Sequence, residues 1–262
     1  MSLISVSIVD YNKASRVVET YNYLKDQTVF NDCFVIIFDN SEDERNFAIL
    51  SAGVPQSDHA RLIKSDRNIG YTKATNKSVL DKADYIVLLN PDVALEDPRT
   101  IEACIGLLEA NPDYGVVGVR QVDDGGTPQL VARSFPRLGV QVARRCGWPL
   151  NRIFSGKISN YECSSQNFSQ SGIYPVDWVQ SSFWVVRGAL WRQLGGLNEK
   201  FFLFMSEADF SQRAADFGFK TIINCDVFAR SDGIRVSRGG VASVFTSKVV
   251  RAHIFDALRY HL

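Results

Sequence analysis

The chain has 262 residues, 45% hydrophobic and 22% charged, enough for one large domain or two closely joined halves. Basic and acidic side chains number 29 each, so the zero net charge excludes a nucleic-acid binder driven by global charge. No apolar run reaches membrane-spanning length, the N-terminus lacks a signal peptide's charged start, and five scattered cysteines without a CxxC pair fit reduced thiols in a cytoplasmic protein.

Residues 3–9, apolar and β-branched between small serines, predict a strand broken at Asp10-Tyr11-Asn12. Val17, Val18, Tyr21 and Leu24 then recur at helical spacing, with Ser15 placed to cap. Residues 33–38 predict a second buried strand ending at Asp39-Asn40-Ser41. After a polar, helix-compatible stretch, residues 61–63 form a short third strand that stops near Asp66-Arg67-Asn68. Asn68-Ile69-Gly70-Tyr71 reads as a turn into a helix through Ala74, Val79 and Leu80.

The uninterrupted apolar run at residues 86–89 has the pattern of a strand buried on both faces. It stops at Asn90-Pro91-Asp92, because proline supplies no donor to the ladder. As a turn these residues are ordinary. Past the end of a central strand, however, Asp92 also stands where open α/β sheets bind ligands. A carboxylate there can coordinate a hard cation that in turn holds a diphosphate. Asp97-Pro98 predicts the next helix start, aspartate as cap and proline first, with an apolar face of Ile101, Ile105 and Leu108. A strand at residues 116–119 closes this half.

Strand alternating with helix is the pattern of a mainly parallel α/β sheet flanked by helices. Tyr11 and Asn12, Asp39, Asp66 and Asn68, and Asp92 each follow the carboxyl end of a strand, so one crevice is expected to collect them. The chain lacks both a Gly-x-Gly-x-x-Gly after the first strand and a Gly-Lys-Ser/Thr loop, which argues against a Rossmann dinucleotide site and a P-loop ATPase.

Residues 121–175 are rich in Gly, Ser, Asn, Gln and Arg, with a basic pair at Arg144-Arg145, and their weak periodicity predicts a long, partly mobile excursion. A strand at 183–186, a short helix at 189–194 and a stop at Gly195-Gly196 follow. Ser206 with Asp209 has the spacing of a capping box, continued by Phe210, Ala214 and Phe217. Glu207 would then sit in the first turn, where the helix dipole favours a carboxylate suited to general-base work. Strands are expected at 220–223 and 226–229. The tail, with Val249, Val250, Ile254, Phe255 and Leu258 among Lys248, Arg251 and Arg259, predicts an amphipathic helix. It would pack on the body, pair with another subunit or lie on an anionic membrane. His59, His253 and His261 take no assigned role.

These segments together resemble the family 2 inverting glycosyltransferases of the GT-A fold, closest to the rhamnosyltransferase-like branch that builds bacterial surface polysaccharides such as lipopolysaccharide or capsule. The resemblance spans about residues 3–230 and is carried by Tyr11-Asn12, Asp39-Asn40-Ser41, Asn68-Ile69-Gly70 with Asn76, and Asn90-Pro91-Asp92. It continues through Asp177-Trp178-Val179, the run at 194–202 and Glu207-Ala208-Asp209. It implies one GT-A domain with a nucleotide-sugar half at 1–120, a variable excursion at 121–175 and an acceptor and catalytic half at 176–262.

By the resemblance, Tyr11, Asn12 and Asp39 serve the nucleotide base, Asp39 accepting from a uracil or thymine N3–H. Asn68 and Lys73 lie near the nucleotide. Asn90 and Asp92 serve the diphosphate, Asp92 through Mg²⁺ or Mn²⁺. Asp177 and Trp178 shape the sugar or acceptor site, and Glu207 is the general base, with Asp209 beside it in the catalytic group. The implied reaction is direct displacement of a nucleoside diphosphate from a dTDP- or UDP-sugar, dTDP-rhamnose first, by a hydroxyl of a glycan or lipid-linked acceptor. Homo-oligomerisation and contact with the inner face of the cytoplasmic membrane stay open.

Four positions, in three motifs, depart from the family pattern. Ser206 and Glu207 replace the first acid and the base aspartate, Ser181 replaces a glycine, and Arg230 stands where a metal-binding histidine is usual. Arginine does not bind Mg²⁺ but holds phosphate in two-point contact. Either Arg230, helped by Arg235 or Arg238, carries part of the diphosphate charge, or the alignment slips and Asp232 is the ligand, or Arg230 is a solvated surface residue. These changes also leave room for a non-catalytic nucleotide-sugar- or glycan-binding member of the same fold, and more weakly for a nucleotidyltransferase.

Overall fold

The computed structural model describes residues 2–146, 150–232 and 248–262. Strand and helix alternate through the first half: β1 (Ile4–Asp10), α1 (Ala14–Lys25), β2 (Cys33–Asp39), α2 (Glu44–Gly53), β3 (Ala60–Lys64), α3 (Tyr71–Lys77) and β4 (Tyr85–Leu89). These four strands pair in parallel in the order β3-β2-β1-β4. Next come β5 (Val93–Ala94), α4 (Thr100–Ala110), β6 (Tyr114–Val122) and β7 (Ala132–Arg133). Three short helices follow, α5 (Leu138–Cys146), α6 (Leu150–Ile153) and α7 (Ser155–Tyr161). The chain then forms β8 (Ile173–Val176), β9 (Trp178–Val179), β10 (Phe183–Arg187), α8 (Gly188–Leu194), α9 (Ser206–Asp216), β11 (Lys220–Ser231) and α10 (Lys248–His261).

The sheet continues from β4 through β10, β6 and β11 to β5, with β8 also on β11 and β7 paired separately to β9. β10 runs antiparallel to β4, with Phe183 opposite Leu89. Its amino end therefore lies beside the carboxyl end of β4, which delivers the turn through Ser181 and Ser182 to Asn90. β4 explains the sheet's central position. Its side chains alternate between faces, so Val87 and Leu89 join the core under α1 and α4 while Ile86 and Leu88 pack with Trp184, Trp191 and Phe210. Among the described residues Cys33, Cys104, Cys163 and Cys225 are free thiols, and no helix is long and apolar enough to cross a membrane.

Several local expectations change. Ser15 lies inside α1, whose first amides are capped instead by Asp10 (to Lys13 N, 2.9 Å) and Asn46 (to Ala14 N, 3.1 Å). Asp97 does cap the turn into α4, its Oδ1 accepting from Arg99 N at 2.9 Å and its carbonyl from Thr100 N at 3.2 Å, but the helix itself begins only at Thr100. α3 stops at Lys77, so Val79 and Leu80 pack beyond it. Ser206 is the first residue of α9 and caps nothing; Met205, at φ +69°, precedes it. Phe217 ends that helix in solvent. β11 joins the two expected strands across a register shift between Asn224 and Phe228.

The excursion at 121–175 is folded. Val140 and Tyr161 form a small core with Trp178 and Ala208, which a search for one long period does not find because each helix is brief. α10 docks on the body, but with Asp256 as its fully buried residue while Phe255 and Leu258 are exposed. The side chains of Val249 and Val250 lie outside those described.

Candidate functional site

β1 and β2 run in register with Asp10 opposite Asp39, so two buried carboxylates end side by side. Asn46, from α2, holds both. Its Nδ2 donates to Asp10 Oδ2, to Asp39 Oδ1 at 3.1 Å and to Ser41 Oγ at 3.0 Å. Ser41 N adds a second bond to Asp39 Oδ1 at 3.1 Å. Burial raises the Asp10 pKa, with the Asp39 charge adding to it, and the bonds from Asn46 and Lys13 N oppose the rise. Asp39 Oδ2 is buried without a hydrogen-bond partner. Such an oxygen carries a desolvation cost that an incoming N–H donor removes.

Tyr11 stands exposed on the rim, and Asn12, at φ +56°, donates its amide to Ser41 Oγ at 2.8 Å. Asn68 is a joint between loops: its Oδ1 accepts from Asn40 Nδ2 and Gly70 N, both at 2.9 Å. Lys73 and Asp66 are exposed. Gly70 needs its φ of +85°, and a Cβ there would meet the Phe202 carbonyl at 2.6 Å.

At the end of β4, Asn90 N donates to Ser182 O at 2.9 Å. Asp92 is mostly buried and takes an ion pair from Lys13 Nζ at 2.7 Å. Arg230 sits opposite Ala94 on β11, and its guanidinium grips Glu96 at 2.8 and 3.2 Å and the Asp123 carbonyl at 3.3 Å. The hydrogen bond from Arg230 holds the Glu96 carboxyl below its ordinary range. To reach a diphosphate Arg230 would have to exchange Glu96 for it. Ser231 pairs with Val93, so the next residue, Asp232, comes alongside Asp92 in sequence register. Arg235 and Arg238 lie outside the described residues. Among those residues no group of three or more His, Cys, Asp or Glu side chains is placed to share a metal. A single carboxylate nevertheless fits Mg²⁺ held mainly by substrate phosphates.

The last edge comes from α9. Glu207 Oε1 accepts from Ser181 Oγ at 3.2 Å, and Oε2 from Ser206 Oγ at 3.3 Å. Ser181 Oγ in turn meets the Tyr71 hydroxyl at 2.9 Å. Burial raises the Glu207 pKa, while its own backbone and the two serine hydroxyls pull it down. Two residues on, Asp209 is committed elsewhere. It pairs with Arg213 at 2.8 Å and Lys200 at 3.8 Å, and Arg213 goes on to the Leu194 and Gly196 carbonyls.

The structure thus gathers Tyr11, Asn12, Asp39, Asn90, Asp92 and Glu207 along one sheet edge, through the bonds of Ser181 to Glu207 and of Ser182 to Asn90. Asp177 and Trp178 instead fasten the excursion. Asp177 accepts from Phe135 N at 2.8 Å; the buried Trp178 ring donates to Ser134 O at 2.8 Å beneath the Arg133 guanidinium. Sequence reasoning missed Asn46, Lys13 and Tyr71. Asn46 had a signal in its place at the start of the helix following Asp39-Asn40-Ser41; Lys13 and Tyr71 acquire meaning only through partners 79 and 110 residues away.

The sequence profile of "Glycosyl transferase family 2" matches residues 5–168. An N-acetylglucosaminyl-diphospho-decaprenol L-rhamnosyltransferase of Mycobacterium tuberculosis is 25% identical over 186 residues, 65% of this chain and 58% of that protein. A low-salt glycan biosynthesis hexosyltransferase of Haloferax volcanii is 24% identical over 214 residues, 72% and 63% of the two chains. The chain therefore spans less than two thirds of either relative. Among solved structures, a mannosyltransferase from Pyrobaculum calidifontis in complex with GDP-Man and Mn²⁺ superposes with a TM-score of 0.59 at 13% identity, covering 88% of this chain and 57% of that one. S. aureus TarS residues 1–349 give 0.57 at 13%, covering 87% and 60%. At those identities the solved structures establish the fold, a GT-A arrangement.

Proposed function

The chain belongs to glycosyl transferase family 2, and from that premise we propose that it is an inverting enzyme that moves a sugar, rhamnose first among candidates, from a nucleoside-diphosphate donor to a glycan or lipid-linked acceptor. The observation that carries this reading is the juxtaposition, on one sheet edge, of a buried carboxylate oxygen lacking a donor, Asp39 Oδ2, and a buried carboxylate, Glu207, held by serine hydroxyls and backbone N–H groups with no cation on it among the described residues. A pyrimidine N3–H suits the first. For the second, burial raises proton affinity toward what a general base needs near neutral pH.

Glu207 takes the proton of an acceptor hydroxyl as its oxygen attacks the anomeric carbon. The carbon–phosphate-oxygen bond breaks on the opposite face, and the nucleoside diphosphate departs with the electron pair. Asp92 would hold Mg²⁺ or Mn²⁺, whose charge would stabilise the departing diphosphate. Lys13, released from Asp92, adds a cation at the same edge, and Arg230 adds another if it leaves Glu96. The Mycobacterium tuberculosis relative, by its name a rhamnosyltransferase acting on a lipid diphosphate, supports the donor and acceptor classes. A lipid-linked acceptor would bring exposed Phe255 and Leu258 of α10 toward a membrane surface.

A thermal-shift panel of UDP-, dTDP- and GDP-sugars, each with and without Mg²⁺ or Mn²⁺, tests the donor site by mass action. A selective shift with a pyrimidine nucleotide is expected; none with any donor would overturn the reading. Complete loss of turnover in EDTA would assign the diphosphate charge to a metal and remove Arg230 from that role. The second reading, a non-catalytic sugar-nucleotide binder, draws on the Lys13–Asp92 and Arg230–Glu96 pairs, which occupy charges a diphosphate site uses. Glu207→Gln separates the two readings. Donor binding kept and turnover lost marks an enzyme.

A further inference from the structure

The two acids in the first turn of α9 have different surroundings. Asp209 is paired with cations, whereas Glu207 receives two serine hydroxyls, one of them backed by a tyrosine hydroxyl. Ser206 belongs to its own helix, Ser181 comes from the turn before β10, and Tyr71 opens α3. Ser181 is almost fully buried, so its hydroxyl has little water to choose instead. Its proton goes to Glu207 Oε1, and the Tyr71 hydroxyl, 2.9 Å behind, is then the donor to Ser181 Oγ. Tyr71 is itself held in place: its amide donates to the Phe202 carbonyl at 2.8 Å, on the loop that leads into α9.

We propose that Ser181, backed by Tyr71, is a positioning residue for Glu207, fixing the carboxylate's orientation and setting its proton affinity through a one-way chain Tyr71 O–H to Ser181 O–H to Glu207. This rests on Glu207 being the base of the reaction proposed above. The physical argument is directional. A donor to a carboxylate stabilises the ionised form and so offsets burial, which favours the neutral form. A hydrogen bond to a charged group is worth more than a neutral one, and a second donor behind the first polarises it further. The charge of Glu207 and burial together push the Tyr71 phenol up, so the phenol stays a donor throughout the pH range of interest. The chain thus keeps Glu207 ionised enough to accept a proton, and it holds Oε1 still so that the carboxylate meets the acceptor hydroxyl in one orientation.

The test reads the carboxylate directly. Glutamate side chains are labelled with carbon-13 and the Glu207 signal, assigned by its absence from Glu207→Gln, is titrated by NMR. In Ser181→Ala the midpoint is expected to rise by about one pH unit, and in Tyr71→Phe by a smaller step in the same direction. An unmoved midpoint in both variants, with native thermal unfolding, overturns the proposal. If Ser181→Ala fails to fold, Tyr71→Phe, which removes only a hydroxyl, carries the test alone. A parallel turnover assay keeps the two ideas apart: midpoints that shift while Glu207→Gln retains full turnover would preserve the hydrogen-bond chain but overturn the base assignment.

Discussion

The donor side and the catalytic side of the crevice are built by different means. On the donor side, Asp10, Asp39, Ser41 and Asn46 lie within 36 residues of one another and bind each other through one strand-end, turn and helix start. On the catalytic side, Glu207 depends on Ser181 and, through it, on Tyr71, while the loop before α9 depends on Asp256. That buried carboxylate accepts from the backbone N–H groups of Phe202, Leu203 and Phe204 at 2.9–3.2 Å, across 52 to 54 residues of chain. The difference teaches that the proposed nucleotide subsite is a local construction at the ends of two neighbouring parallel strands. The catalytic subsite exists only once α3, β10, α9 and α10 have assembled.

The most severe way to break this contrast is at Glu207. Glu207→Gln is expected to lower kcat by roughly 10²–10⁴-fold with nucleotide affinity unchanged, measured by steady-state turnover beside calorimetric titration with the donor. Asp256→Ala should come next. It removes the shared acceptor of three part-buried amide donors and releases the clamp on the loop, for a loss of about 1–3 kcal/mol in urea unfolding with the proposed donor subsite left intact. On the other side of the comparison, Asp39→Ala should weaken pyrimidine nucleotide binding by about 10- to 100-fold through the loss of Oδ2, and should cost about 1–3 kcal/mol in unfolding because it also removes Oδ1, the acceptor for Asn46 Nδ2 and Ser41 N. Equal losses of nucleotide binding from Asp39→Ala and Asp256→Ala would erase the distinction.

The smallest effect is the most diagnostic of burial. A carboxyl whose pKa is raised on folding binds protons more readily folded than unfolded, so its contribution to stability is greatest below the unfolded value of about 4.5 and is lost as pH rises through the folded value. Glu207→Gln should therefore melt higher than the wild type near pH 7.5, by roughly 2–4 °C, with the gap closing toward pH 4. A gap that is constant with pH would mean Glu207 is not strained by burial.

Much of the fold was legible because its signals are local. The apolar run at 86–89, the turn at Asn90-Pro91-Asp92 and the carboxylates closing the first strands follow from ladder chemistry and side-chain alternation, which act within a few residues. The helical excursion at 121–175 was not legible, since helices of 9, 4 and 7 residues are too brief to show a period, and the first and last are held by Val140 and Tyr161 packing with Trp178 and Ala208. The capping readings at Ser15 and Ser206 failed for a related reason. A cap depends on where the chain enters the helix, and that path was set by Asp10 and Asn46 at one end and by the αL residue Met205 at another.

By itself, the sequence determined which residues stand at strand ends, and hence that Tyr11, Asp39 and Asp92 share an edge, because a parallel sheet aligns its carboxyl ends without reference to anything remote. Only the tertiary structure decided how the acids near α9 divide their roles. Glu207 and Asp209 are two residues apart and chemically alike, and the local sequence separates them only by offering Asp209 an i,i+4 partner in Arg213. The antiparallel insertion of β10 brings a serine hydroxyl to one, and the Leu194 and Gly196 carbonyls anchor the Arg213 guanidinium on the other. Proton affinity is fixed by such neighbours, and neighbours are a property of the fold.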